Sequence, residues 1–226
     1  MEVSVAGDTI GHAAAVRIAR SAAMDGSVSH PHRAALARSA DAPALRARTD
    51  FVHHLCALHG RHPGLIDAAA GDLHAPDWMG TAAIAFAGER ALLAQIAAAA
   101  GPVPGTPGQA ASEAALLQQR HVLETLGRSD RAGCTLGAAA ALILDWAAMR
   151  ETLNLVALRF GVDATPSALP PGDLVLAWIG RTDAARARAV TFGAEQLLAQ
   201  HRGFWSLLEA RHHARGGDLT PVAGAA

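Results

Sequence analysis

CTLGAAAALILDWAAMRETLNLVALRF, residues Cys134–Phe160, is the stretch that decides the fold. Leu142, Trp146, Met149, Leu153, Val156 and Phe160 line one side of a helix drawn through it, and Leu144, Leu155 and Leu158 line another. A helix that is apolar nearly all round is surrounded by other helices. Its polar residues Asp145, Arg150, Glu151 and Asn154 are therefore expected to be partly buried and paired. The run is largely alanine, is interrupted by Asp145, and is short for a bilayer span.

Outward from this segment, turn and cap signals divide the chain into about five or six long helices. The expected helices run from Asp8 to Met24, from Pro43 to Gly60, from Asp77 to Gly101, from Thr106-Pro107 to Gly127, from Ser129 or Asp130 to Phe160, and from Thr182 to Gly216. Short helical pieces are expected after Pro31, over Leu65–Ala70 and over Leu174–Ile179. The loop GPVPGTPG at 101–108 is the clearest break. No alternation of period two bounded by turn residues occurs, so no sheet is expected. The fold class read from the chain is all-α, a single-domain bundle around the helix near 134–160. Residues 1–42 form an N-terminal helical segment packing on it, 43–217 the main bundle, and 218–226 a flexible tail.

Composition sets the class of protein. Hydrophobic residues make up 51% of the 226, charged residues 17%, and the net charge is −1, which describes a packed globular chain. Roughly a quarter is alanine, the best helix former. Lys and Tyr are absent and Asn154 is the single asparagine. A GC-rich bacterial genome accounts for that bias, so the all-arginine cation set reads as codon usage before it reads as anion recognition. The 19 arginines are dispersed among 20 acids, which argues against a nucleic-acid partner. Cys56 and Cys134 form no CxxC pair, and no signal peptide or membrane span is expected, so a cytoplasmic location is. Without lysine no P-loop exists, and no G-x-S-x-G elbow occurs.

Two residues stand out against the helical pattern. The stripe Ala82, Ala85, Phe86, Leu93, Ile96 has Glu89 at its centre. The stripe Val190, Ala194, Leu197, Phe204, Leu208 has His201 where an apolar residue is due. A carboxylate or imidazole so placed must find a partner or shift its pKa. One reading is a buried polar network, with Glu89 paired to Arg150 or to His201, in a non-catalytic helical binding or regulatory protein. It would act through a protein partner or as a homo-oligomer, with no cofactor.

The alternative is a metal site. Asp50-x-x-His53 and Asp50-x-x-x-His54 lie on one helix, Glu89 on the next, Asp145 on the central one, and His201 with Glu209-x-x-His212 on the last. This resembles the architecture of ferritin-like bundles, whose inward carboxylates and histidines hold two metal ions. The resemblance implies an enzyme with iron, manganese or zinc on Glu89, His201, Asp50, His54 and Asp145. The chain departs from it in lacking a second Glu-x-x-His motif, and His121-x-x-Glu124 has the reverse order. His59 lies in the apolar arc of Phe51, Val52, Leu55 and Leu58. With His201 it is the one pair on offer for haem ligation, although no C-x-x-C-H motif is present.

Overall fold

A computed structural model describes the backbone of residues 2–39 and 41–217, with side chains from Thr9 onward within those ranges. The tail expected over 218–226 lies outside the described residues. The protein is 76% helix, and among the described residues there is no strand. Nine helices form among the described residues, where a bundle of five or six was expected: α1 (Glu2–Asp25), α2 (Pro31–Arg38), α3 (Ala42–His59), α4 (Leu65–Ala70), α5 (Trp78–Ala99), α6 (Gln109–Gly127), α7 (Cys134–Arg159), α8 (Gly172–Gly180) and α9 (Ala184–Ala214). The three beyond six are α2, α4 and α8, six to nine residues long and lying where short helical pieces were expected; α2 opens on a proline, and α4 and α8 follow a glycine and a proline. A 3-10 turn, Ser27–Ser29, links α1 to α2.

The capping chemistry differs from the sequence reading at several starts. Asp41 caps α3, its Oδ1 accepting from the Ala44 N–H at 2.8 Å. Asp183, not Thr182, caps α9 in the same way, accepting from Arg186 N–H at 2.8 Å. Asp77 makes no capping bond to α5. Thr106 does not cap α6, which begins after Gly108 at φ 73°. The central helix starts later than Ser129, at Cys134, and α1 starts earlier than Asp8. A side-chain cap is a local preference worth about 1 kcal/mol, and tertiary demand on the same side chain overrides it.

The central helix is α7. Every residue from Cys134 to Ile143 is buried, and α7 packs most closely against α9 while also meeting α1, α2, α4, α5, α6 and α8. One core runs through the molecule, joining Ile18 of α1 and Leu36 of α2 to Phe51, Phe86, Trp146, Trp205 and Leu208. By length and composition α5 is apolar enough to cross a bilayer. At its middle, however, it carries the buried pair Glu89 and Arg90, each held by an ion pair to another element.

Candidate functional site: a buried Asp–His–His line opening on a cavity

Four residues from four elements form one hydrogen-bonded line through the core. Asp145 sits on α7, His201 on α9 and His59 in the last turn of α3, and Ser27 opens the 3-10 turn. The Ser27 N–H donates to Asp145 Oδ1 at 2.7 Å, and its Oγ–H donates to Oδ2 at 2.5 Å. His201 Nδ1 lies 2.6 Å from Asp145 Oδ2, and its Nε2 lies 3.0 Å from His59 Nε2. Ser27 and His201 are wholly inaccessible, and Asp145 and His59 are buried. Gly26 makes room for the carboxylate: a Cβ there would stand 2.4 Å from Asp145 Oδ1 and 2.3 Å from the Ala22 carbonyl oxygen.

The direction of each hydrogen bond follows from the acid. Asp145 already accepts two bonds from Ser27, so it is an ionised acceptor toward His201 as well. Burial works to raise the Asp145 pKa. The bonds from His201 and Ser27 outweigh it and hold the carboxyl below its ordinary value. His201 therefore donates through Nδ1–H, which turns its Nε2 toward His59 Nε2. When His59 donates its Nε2–H to His201 Nε2, its lone pair is left on Nδ1. Burial, reinforced by repulsion from His201, pushes the His59 pKa well below its ordinary value, so its ring is neutral. Two aromatic edges hold that ring, Trp146 at 5.7 Å and Phe86 at 6.4 Å between centroids.

His59 is a wall residue of a cavity of about 550 Å³. Its Nδ1 takes no hydrogen bond from the described residues. Leu58, Leu65, Phe86, Leu123 and Leu142 make the apolar part of the same wall, and Arg61, Arg120, Arg128 and Glu124 stand around it. The volume falls in the range of pockets that bind small molecules.

The five residues read as metal ligands are distributed over three places. Glu89 is held by Arg150, whose Nη1 donates to both carboxylate oxygens at 2.5 Å, and by Trp146 Nε1 at 3.0 Å. Asp50 takes Arg211 Nη2 at 3.1 Å and a second arginine, Arg215, on its other oxygen. His54 donates its Nδ1–H to the Asp50 carbonyl oxygen at 2.8 Å. Of their side chains only those of Asp145 and His201 meet each other, with His201 the donor and Asp145 the acceptor. Among the described residues no three His, Cys, Asp or Glu side chains gather as a metal-ligand group. The reading of His59 and His201 as haem ligands is corrected too. An iron between them needs the two nitrogens about 4 Å apart, twice a metal–imidazole bond of about 2.0 Å. They are in hydrogen-bond contact instead. Ser27 left no trace in the sequence pattern, and its part in the line comes from the turn that carries it.

Several histidines stay neutral through burial. His32 is pushed down to about 3 by desolvation and by repulsion from His212, His30 and His213. His30, His54 and His59 are lowered as well, desolvation leading in each case. A base whose folded pKa is depressed favours the fold above its unfolded pKa, near 6.5, and this advantage is lost as pH falls below that value. Each such histidine adds a slope of about 1.4 kcal/mol per pH unit over its window. Urea unfolding between pH ~7.5 and ~4.5 is expected to show a steep, multi-proton loss of stability that begins below pH ~6.5. A flat profile down to pH ~5 would contradict this placement of the histidines.

No curated protein and no solved structure matches the chain. A family model described as a family of unknown function, DUF6975, matches residues 22–216. That span takes in Ser27, His59, Asp145 and His201, as well as the wall of the cavity, and the chain belongs to DUF6975.

Proposed function

We propose that this protein is a small-molecule-binding helical module in which His59 receives the hydrogen-bond donor of a ligand held in the cavity. The observation that carries the reading is the polarity of the buried line. Ser27 and Asp145 orient His201, His201 orients His59, and with His59 as donor to His201 the ring nitrogen left to accept is Nδ1, on a residue of the cavity wall. A buried charged network gives little net stability compared with apolar packing of the same volume. Here it delivers a neutral, preorganised base to a concave, mostly apolar site, the setting in which perturbed titratable groups mark function.

The same line can store a proton. A proton arriving on His59 Nδ1 lets the Nε2–H pass to His201 Nε2. His201 then becomes an imidazolium directly against the Asp145 carboxylate. The positive charge thus rests on the ring that has a counter-ion, two steps from the ligand. Asp145 plays the part of orienter and charge partner, and His59 is the residue that touches the ligand.

The test uses 4-ethylphenol, an apolar fragment with one hydroxyl donor, and ethylbenzene as its donor-free counterpart. Binding is followed by the fluorescence of Trp146, which packs on both Phe86 and His59. The phenol is expected to bind about tenfold tighter, and His59→Gln to remove the difference while the melting temperature stays within a few degrees. Nitrogen-15 spectra of labelled histidine are expected to show His59 with Nδ1 unprotonated and His201 with the opposite tautomer. Equal binding of the two fragments, or His59 carrying its proton on Nδ1, would overturn the reading.

A further inference from the structure

Resting on that reading of His59, we infer that the cavity takes a small apolar carboxylic acid, its anionic head held by arginines and a hydroxyl donor directed to His59. The inference comes from the charge on the wall. Among the residues that line the cavity, Arg61, Arg120 and Arg128 are cations and Glu124 is the one carboxylate. Glu124 is shared between two of the arginines, at 3.9 Å from Arg61 and 3.5 Å from Arg120. Arg128 forms no ion pair among the described residues. The lining therefore carries an excess of two positive charges on a chain whose net charge is −1.

The neighbouring charges do not cancel this excess. Asp67 on α4, in contact with the lining residues Gly64 and His62, is already matched by Arg90 in a two-point contact of 2.9 and 3.2 Å and by the Gly64 N–H at 2.7 Å. His62 lies beside that pair, 3.4 Å from Asp67. The rest of the lining is largely apolar, with Leu58, Leu65, Phe86, Leu123 and Leu142, and includes His59. A ligand complementary to this wall has a carboxylate, an apolar body and a donor. Arginine's planar fork matches a carboxylate in two-point geometry, and its guanidinium is weakly hydrated enough to sit at the edge of an apolar site.

The experiment compares three probes on the full chain by isothermal titration and Trp146 fluorescence: 3-(4-hydroxyphenyl)propionate, its primary amide, and 3-phenylpropionate. The hydroxy acid is expected to bind about tenfold tighter than the amide. This advantage is expected to shrink as ionic strength rises from ~0.05 to ~0.5 M, because the arginines are partly solvated. It is also expected to vanish in the double variant Arg120→Gln, Arg128→Gln, the first half-buried on α6 and the second exposed just past its end, with the melting temperature unchanged. Equal affinity for acid and amide would overturn the carboxylate inference and leave the role of His59 standing. Equal affinity for hydroxy acid and 3-phenylpropionate would overturn the role of His59. Binding of none of the three would overturn both.

Discussion

Gly193→Ala is expected to abolish cooperative folding. At the crossing of α7 and α9 the two backbones touch. A Cβ on Gly193 would lie 2.0 Å from the Cys134 carbonyl oxygen, and a Cβ on Gly137 would lie 2.0 Å from the Val190 carbonyl oxygen. The two glycines are reciprocal, each facing the other helix's main chain, so no rotamer change relieves either clash. The helices must separate by more than an ångström, which opens gaps around Leu197, Leu136 and the other residues packed beside the crossing. Overpacking costs about 1–3 kcal/mol where side chains can give way and more where main chain meets main chain, and total stability is only about 5–15 kcal/mol. Gly137→Ala is expected to behave alike. Gly88→Ala on α5 is the control: nothing lies within 4 Å of its Cβ, and a gain of up to about 1 kcal/mol is expected from helix propensity. Chemical unfolding of the three variants decides the matter, and a folded Gly193→Ala with near-native stability would refute the close crossing.

Arg150→Met is the second large effect. Arg150 donates to both oxygens of Glu89, to Asn154 Oδ1 at 2.8 Å and to the Thr165 carbonyl oxygen. Glu89 is 2% exposed. Removing the guanidinium leaves a buried carboxylate with Trp146 Nε1–H as its one donor, at a cost of about 3–5 kcal/mol. Replacing both members, Glu89→Leu with Arg150→Met, is expected to recover most of that loss, because the lone charge is gone and the volume is kept. The double-mutant cycle in urea measures this. A coupling below about 1 kcal/mol would mean that the pair behaves as a solvated surface bridge.

How far the chain could be read depended on the range of the interaction. Long elements were legible because helical periodicity repeats over many residues. The stripe Val190, Ala194, Leu197, Phe204, Leu208 is buried throughout, and His201 between its members is wholly inaccessible. Helix starts were read less well. Thr106, expected to cap α6, instead accepts bonds from Arg211 and Arg215, contacts more than a hundred residues away in sequence. The short helices α2, α4 and α8 lie where helical pieces were expected, but they stood outside the count of five or six because six to nine residues give too few turns for a period to show. Glu89, His201, Asp50, His54 and Asp145 were all recognisable as polar residues in apolar surroundings, but their partners were not. Reading them as one ligand set assumed a single point of convergence, whereas the helices carry them to three separate places, each with its own partners.

The sequence alone determined that this protein is all-helical, that Cys134–Phe160 is its centre, and that Glu89 and His201 are buried groups in need of partners. Those conclusions rest on local periodicity and on the cost of burying charge, which any neighbourhood must obey. Tertiary structure alone decided which partners they found. Asp145 rather than Glu89 meets His201 because α7 and α9 cross at two glycines and bring those faces into register. Ser27 joins because the turn after α1 passes over the carboxylate. His59 completes the line and faces a cavity because α3 ends beside α9, with α4 and α6 standing off around its last turn. A residue's need for a partner is written in its own chemistry and its neighbours along the helix. The identity of that partner is set by how separate helices pack.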